Sequence, residues 1–125
     1  MQIQAPISLG ELIDKITILQ IKTKHLKEIA LKNVEKELLA LQDTLNALDL
    51  QIDATLIQRL KEVNIDLWQI EDEIRDKERT KDFGEDFVQL ARSVYQKNDQ
   101  RADIKKQINT AYGSDLIEEK TYRDY

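Results

Sequence analysis

Residues 56–74 read LIQRLKEVNIDLWQIEDEI, and the spacing of their apolar side chains decides the fold. Six of these side chains follow one another at alternating intervals of four and three residues, which places them on one stripe of an α-helix. They are Leu56, Leu60, Val63, Leu67, Ile70 and Ile74. Such a stripe is an apolar seam against which another helix packs. The stretch therefore predicts a long helix in a helical bundle.

The same spacing recurs on both sides of this stretch. Two rows precede it, from Leu9 to Leu19 and from Leu31 to Leu48, and one row follows it, from Phe87 to Ala111. Three glycines and one proline in 125 residues leave few places where a long helix would break. The sequence predicts an all-α fold, an antiparallel bundle of three to four long helices with coiled-coil-like seams.

We expect the whole chain, residues 1–125, to form one helical domain. Residues 1–7 are predicted to be an extended N-terminus, and residues 114–125 a tail that is either docked on the bundle or frayed. The apolar pattern slips between the first two rows. Residues 9–48 are therefore either one bent helix or two helices.

Three local patterns predict where helices begin and end. Ser8 and Glu11 have the spacing of a capping box, in which the Ser8 hydroxyl accepts from the N–H of Glu11 and the Glu11 carboxylate reaches back to the N–H of Ser8. Asp53 is the predicted N-cap of the helix that carries the seam. Gly113 is the predicted left-handed residue that ends the last helix.

Composition and charge exclude several classes of function. The chain has 19 Lys and Arg against 24 Asp and Glu, and its net charge of -5 argues against general affinity for nucleic acid or anionic lipid. There is no cysteine, so neither a disulfide framework nor a thiolate metal site can form. Residues 1–6 carry no basic residue and lead into no long apolar run, so neither a secretory signal nor a membrane span is expected. We expect a cytoplasmic protein with no cofactor, no nucleic-acid partner and no membrane contact.

The most unusual stretch lies between Val94 and Ile104, where the last helix loses its apolar stripe for two turns. Within it Lys97, Arg101 and Lys105 are stacked at intervals of four residues, a like-charge row that is unfavourable unless acids face it. One interpretation is a ladder of salt bridges to the preceding helix. The acids predicted to face the row are Glu62, Asp66, Glu73 and Asp76.

The other interpretation is a small-ligand site for an anion or a sugar inside the bundle. Its candidate residues are Lys15, Glu71, Arg75, Arg92, Tyr95, Asn98 and Arg101. In an enzyme built on this site, Lys15, Arg92 and Arg101 would stabilise negative charge and Glu71 would act as a base.

A second apolar row on the first helix predicts an interface. Ile18, Ile21 and Ile29 lie roughly opposite the first row, so we expect them to contact a second subunit and the protein to be a homodimer. A metal site is not expected, because a di-iron site in a bundle needs Glu-x-x-His on two helices. His25 is the only histidine, and no glutamate stands three residues before it.

Three blocks of the sequence, residues 7–19, 67–75 and 90–99, resemble the signature blocks of an uncharacterised family of short bacterial proteins. The family carries a domain-of-unknown-function label and is also found in marine cyanobacteria and their phages. The resemblance implies no established activity. Some members are associated with glycosyltransferases and cell-surface polysaccharide proteins, which implies a sugar or nucleotide-sugar context.

A looser, fold-level resemblance is to the all-helical chorismate mutases, which hold a dicarboxylate substrate with arginines and a lysine. Lys15, Arg92 and Arg101 are cations of the required type. The paired arginines of the mutase's first helix are absent here, and Lys15, Lys22 and Lys24 stand in that helix instead.

The sequence thus predicts a non-catalytic helical interaction or assembly module, because apolar seams are abundant and catalytic motifs are lacking. The alternative is an enzyme or binder for a small anionic or sugar ligand, with a site like that of the helical mutases. A third alternative is a partner for a larger glycosyltransferase or a phage structural protein. Binding such a protein partner would require an exposed apolar patch rather than a pocket.

Overall fold

A computed structural model describes residues 1–125 and contains four α-helices and no strand, so the all-α prediction is confirmed. Helix α1 spans Leu9–His25, α2 spans Glu28–Ala47, α3 spans Ala54–Thr80 and α4 spans Glu85–Ala111. Residues 9–48 therefore form two helices rather than one bent helix. None of the four helices combines the length and the apolar character needed to cross a membrane.

Helices α3 and α4 form an antiparallel hairpin, with Lys97 of α4 paired to Asp66 of α3 at 2.9 Å. Helix α1 packs along this hairpin, parallel to α3, since Asn64 contacts Thr17 while the later Trp68 contacts the later His25. Helix α2 contacts α1 and neither α3 nor α4. The four helices therefore form three layers, with α1 between α2 and the hairpin.

The main core lies where the first turns of α1 meet the hairpin. Its members are Leu9, Ile13, Leu60, Val63, Leu67, Ile104 and Ile108. The seam predicted on α3 is buried in its middle, from Leu60 to Leu67, and half-buried at both ends. Helix α1 has 17 residues and α3 has 27, so at about 1.5 Å per residue the hairpin extends beyond α1 and lacks a third helix there.

The predicted helix ends agree with the structure except in one detail. Ser8 Oγ accepts from the N–H of Glu11 at 3.1 Å, and Asp53 Oδ1 accepts from the N–H of Thr55 at 2.8 Å. Gly113 follows α4 with a φ of +66°. The reciprocal half of the capping box is wrong, because the Glu11 carboxylate turns to cations instead of the N–H of Ser8.

Residues 114–125 form no helix and lie along α4. Glu119 pairs with Lys106 at 3.1 Å, and Lys120 pairs with Asp99. Most of the tail is exposed, including Tyr125, whose exposed fraction is 78%. Charged pairs therefore hold the tail more than apolar burial does.

Candidate functional site

The first turn of α1 lies close against the last turns of α4. A Cβ atom added to Gly10 would stand 2.6 Å from the carbonyl oxygen of Lys105, so only glycine permits this approach. Here the Gly10 N–H donates to Asn109 Oδ1 at 2.6 Å, and the Leu9 N–H donates to Ser114 Oγ at 3.1 Å. These are N–H groups that the start of a helix leaves without partners. The chain itself occupies the start of α1, which is therefore closed to an external anion.

One turn further along α1, three polar side chains are buried between α1 and α3. Asp14, Thr17 and Asn64 are 2%, 0% and 5% exposed. Asn64 Nδ2 donates to Asp14 Oδ1 at 2.8 Å and to Thr17 Oγ1 at 2.9 Å. A buried polar group without a partner costs about 1–3 kcal/mol, so these bonds favour one register of α1 on α3.

The other oxygen of Asp14 faces two cations of α4. Asp14 Oδ2 lies 3.6 Å from Arg101 Nε and 3.7 Å from Lys105 Nζ. Lys105 also pairs with Glu11 and, at 3.3 Å, with Glu118 of the tail. A buried charge is tolerated only when it is paired, and Asp14 meets that condition through α4.

The salt-bridge ladder predicted between α3 and α4 forms at one position, where Lys97 pairs with Asp66 at 2.9 Å. Arg101 and Lys105 face acids of α1 and the tail instead, because α1 packs across the hairpin at this level. The other three acids predicted for the ladder make no ion pair with α4. They are Glu62, Glu73 and Asp76.

The pairing between α4 and the tail shifts two pKa values in opposite directions. Burial lowers the pKa of Lys105, but the hydrogen bond to Glu11 and the charges of Asp14, Glu11 and Glu118 outweigh burial and raise it above its ordinary value. Burial raises the pKa of Glu118, but the charge of Lys105 and hydrogen bonds from Lys105 and Ser8 bring it below its ordinary value. The tail is thus tied to α4 and to the start of α1 at Glu118.

Beside this polar network lies a cavity of about 390 Å³ between α1, α3 and α4, called the three-helix groove below. Its lining residues are Ile18, Asn64, Leu67, Trp68, Glu71, Asp72, Arg75, Asn98 and Arg101. Four of the candidate ligand-binding residues from the sequence are among them. They are Glu71, Arg75, Asn98 and Arg101.

The charged side chains of the groove compensate one another. Arg75 pairs with Glu71, and this pairing raises the pKa of Arg75 above its ordinary value. The one ion pair of Arg101 is with Asp14. Asp72 makes no direct ion pair, although its charge also contributes to the raised pKa of Arg75.

The aromatic part of the groove comes from Trp68. His25, the last residue of α1, stacks on the Trp68 ring with centroids 4.7 Å apart and an interplanar angle of 22°. Ile18 and Leu67 complete the apolar wall. The groove therefore combines an aromatic and apolar wall with several donors and acceptors, as small-molecule sites commonly do.

The remaining candidates lie outside the groove. Lys15 is exposed and makes a 3.8 Å ion pair within α1. Arg92 lies nine residues before Arg101, which at 3.6 residues per turn places the two on opposite faces of α4. Tyr95 makes an edge-to-face contact with Tyr125 of the tail at 4.9 Å. The structure therefore does not bring Lys15, Arg92 and Tyr95 together with Asn98 and Arg101. Helical phase separates Arg92 from Arg101 on α4, while Lys15 pairs within α1 and Tyr95 contacts the tail.

The predicted interface row is divided among three environments. Ile18 is half-buried at the groove, and Ile21 is buried within the chain at 4% exposure. Ile29 is 75% exposed, but it lies on α2 because α1 ends at His25. The three side chains therefore do not form one row, and of the three only Ile29 offers a large apolar surface.

The buried polar contacts of Asp14, Thr17 and Asn64 are not predicted from the sequence. A signal was present, because Gly10, Asp14 and Thr17 follow at intervals of four and three residues on a helix that is otherwise apolar. A row of small and polar residues at helical spacing indicates close packing with polar contacts. No group of three His, Cys, Asp or Glu side chains is placed to hold a metal ion.

Among the comparisons with known proteins, only the comparison with protein families gives a match. Residues 3–124 match the model of a family described as a family of unknown function, DUF6165. No curated protein and no solved structure matches the chain.

Proposed function

We propose an assembly role for this chain, which belongs to the DUF6165 family of unknown function. In this proposal the chain is a helical interaction module that forms a homodimer through α2. The observation that carries it is the position of α2, which contacts α1 alone and has one buried residue among 20. A helix held on one side leaves its other side open to a partner.

The open side of α2 is a regular stripe. Six of its exposed residues follow at intervals of three and four: Ile29, Lys32, Lys36, Leu39, Asp43 and Asn46. Ile29 and Leu39 are 75% and 61% exposed, and they are the two most exposed large apolar side chains on the four helices. Ile29 at the start of the α2 stripe and Leu39 near its middle support a packing role.

The charges of the α2 stripe favour a second copy of the same chain as the partner. When two stripes pair antiparallel about a twofold axis between residues 37 and 38, Lys32 of each copy lies opposite Asp43 of the other. In the same register the apolar Leu39 lies opposite the long aliphatic stem of Lys36. A surface that is complementary to itself is what a twofold interface requires.

The test is the solution mass of four proteins, measured by light scattering over a concentration series. The wild type is expected to dimerise, and Asp43→Lys is expected to weaken the dimer about tenfold because two attractive pairs become repulsive. The double variant Lys32→Asp with Asp43→Lys restores opposite charges across the axis and is expected to recover the dimer. Val88→Glu, on an exposed part of α4 outside the α2 stripe, is the matched control.

Circular dichroism of each variant separates loss of assembly from loss of folding. Lys32 and Asp43 are exposed and make no ion pair within the chain, so the helical signal should stay at the wild-type level. A wild type that is monomeric at every concentration contradicts the proposal. So does a dimer whose strength is the same in all four proteins.

Other expectations from the sequence stay predictions. They are the cytoplasmic location, the bacterial origin, the polysaccharide or glycosyltransferase context, and the lack of nucleic-acid and membrane partners. The assembly role is compatible with each of them and depends on none.

A further inference from the structure

The three-helix groove has features of a binding site that are independent of α2. Its volume of about 390 Å³ falls within the range of roughly 300–1,000 Å³ that is usual for small-molecule sites. Asn64, 5% exposed, lies in its wall and is held by hydrogen bonds to Asp14 and Thr17. Because three helices and a buried polar network hold these walls, the groove is formed before a ligand arrives.

Several polar groups around the groove have hydrogen-bonding capacity to spare. Arg101 contacts Asp14 through Nε at 3.6 Å, which leaves the two terminal nitrogens of its guanidinium free to donate. Asn98 Nδ2 donates to the carbonyl oxygen of Val94, while Asn98 Oδ1 can still accept. The carboxylate of Asp72 has no ion pair and is a further acceptor. Donors and acceptors therefore line the same small space.

The charge pattern indicates which ligands fit. Asp14 compensates Arg101, and Glu71 compensates Arg75, so neither cation is available to a free anion at full strength. The lining of the groove carries two cations, Arg75 and Arg101, and two carboxylates, Glu71 and Asp72, so its net charge is zero. An anionic ligand would therefore gain no net attraction in the groove.

We propose that the three-helix groove binds a neutral small molecule rich in hydroxyl groups, of the saccharide class. A hydroxyl both donates and accepts, so neighbouring hydroxyls match the mixture of free donors on Arg101 and acceptors on Asp72 and Asn98. The C–H faces of such a molecule match the apolar wall of Ile18, Leu67 and Trp68.

The chain carries its own reporter for this site, because Trp68 is the only tryptophan. Trp68 fluorescence is followed while neutral glycosides, methyl glucoside and methyl galactoside, are titrated into the full chain. Citrate and inorganic phosphate serve as anionic probes, and choline serves as a cationic probe. We expect a saturable change with at least one glycoside and none with the anions or choline. A wild type that responds to citrate, phosphate or choline, or to no probe, overturns the proposal.

A pair of variants tests whether the groove residues make the contact. Asn98→Ala removes a free acceptor, so glycoside binding is expected to weaken about fivefold. Asn33→Ala removes an exposed asparagine of α2 and is the matched control, with binding unchanged. Equal binding by both variants would place the glycoside outside the groove and overturn the proposal.

A third variant tests the charge argument directly. Glu71→Gln removes the ion-pair partner of Arg75 and leaves two cations against one carboxylate in the lining of the groove, so its net charge becomes positive. This variant is expected to bind citrate or phosphate, which the wild type does not bind. Both side chains are largely exposed, so the fold should be unaffected. If Glu71→Gln does not bind citrate or phosphate, charge compensation is not the reason why the groove prefers neutral ligands to anions.

Discussion

Helices α1 and α2 are similar in length and in the spacing of their apolar residues, yet α1 has nine buried residues and α2 has one. The difference does not follow hydrophobicity, because α1 buries the polar Asp14 and Thr17 while α2 leaves Leu39 61% exposed. Helix α1 contacts three helices, and α2 contacts one. The number of neighbours, more than the apolar content of a helix, decides how deeply its residues are buried.

The largest expected effect contrasts one apolar residue from each helix. Ile13→Ala is expected to lower the free energy of unfolding by about 2–5 kcal/mol, because Ile13 is 1% exposed and its removal leaves a cavity in the core. Leu39→Ala, on the open side of α2, is expected to change it by no more than about 0.5 kcal/mol. Urea denaturation at concentrations where the chain is monomeric measures both. Similar losses for the two variants would mean that α2 packs on more than α1.

The second effect concerns the close approach of α1 to α4. Gly10→Ala places a methyl group 2.6 Å from the backbone oxygen of Lys105, which cannot move aside as a flexible side chain can. The expected loss of stability is about 2–3 kcal/mol. Gly84→Ala is the control, since its nearest new contact is a side-chain oxygen of Asp82 at 3.5 Å. Thermal unfolding compares the two, and a Gly10→Ala protein as stable as Gly84→Ala would contradict the close packing.

A third, smaller effect tests the polar contacts that distinguish α1 from α2. Asn64→Ala leaves Asp14 Oδ1 without its hydrogen-bond donor in a buried site, and about 1–2 kcal/mol of stability should be lost. Asn33→Ala changes an exposed asparagine of α2 and should have no measurable effect. Chemical denaturation supplies both values. If both variants have the same free energy of unfolding, the hydrogen bonds of Asn64 to Asp14 and Thr17 do not stabilise the contact of α1 with α3.

The smallest expected effect is a pH dependence of the attachment of the tail. The tail contacts the start of α1 through the hydrogen bond that Ser8 donates to Glu118, and α2 has no such contact. The pKa of Glu118 is lowered in the folded chain, so its stabilising contribution is present above the ordinary glutamate pKa of about 4.3 and is lost as the pH falls through the lowered value. The pKa of Lys105 is raised in the folded chain, so its stabilising contribution is fully present below the ordinary lysine pKa of about 10.4 and is lost as the pH rises through the raised value.

We therefore expect the tail to detach in acid, with a loss below about 1 kcal/mol because the Glu118 side chain is 55% exposed. The NMR signals of residues 114–125, followed over a series of acidic pH values, measure the release because they move to random-coil positions when the tail leaves α4. Glu118→Gln is the control, and its tail signals should lie nearer those positions at neutral pH as well. Tail signals of the wild type that do not move down to pH 3 would contradict this assignment.

Most of the secondary structure could be predicted from local rules. The seam of α3, the N-cap at Asp53 and the left-handed Gly113 each depend on residues within a few positions in the chain. The wrong half of the capping box has a long-range cause. The Glu11 carboxylate accepts from Lys105, which lies 94 residues further along the chain, and not from the N–H of Ser8. A charged donor makes a stronger hydrogen bond than a backbone N–H.

The candidate site could be predicted in part. Glu71 and Arg75 are four residues apart on α3, and Asn98 and Arg101 are three apart on α4, so helical phase alone places each pair on one face. Helical phase could not show that Arg101 would face Asp14 of α1 rather than an acid of α3. That choice depends on which helix crosses the hairpin at that level.

By itself the sequence determined that the chain is helical, where most of its helices begin and end, and which face of each helix is apolar. Those properties arise from contacts between residues three or four positions apart, and the spacing of the residues is enough to specify them. Only the tertiary structure decided that α1 lies in the middle layer, that α2 has an open face, and that charges in the three-helix groove compensate one another. Those properties arise from neighbours far apart in the chain, and periodicity does not identify which helix each neighbour comes from.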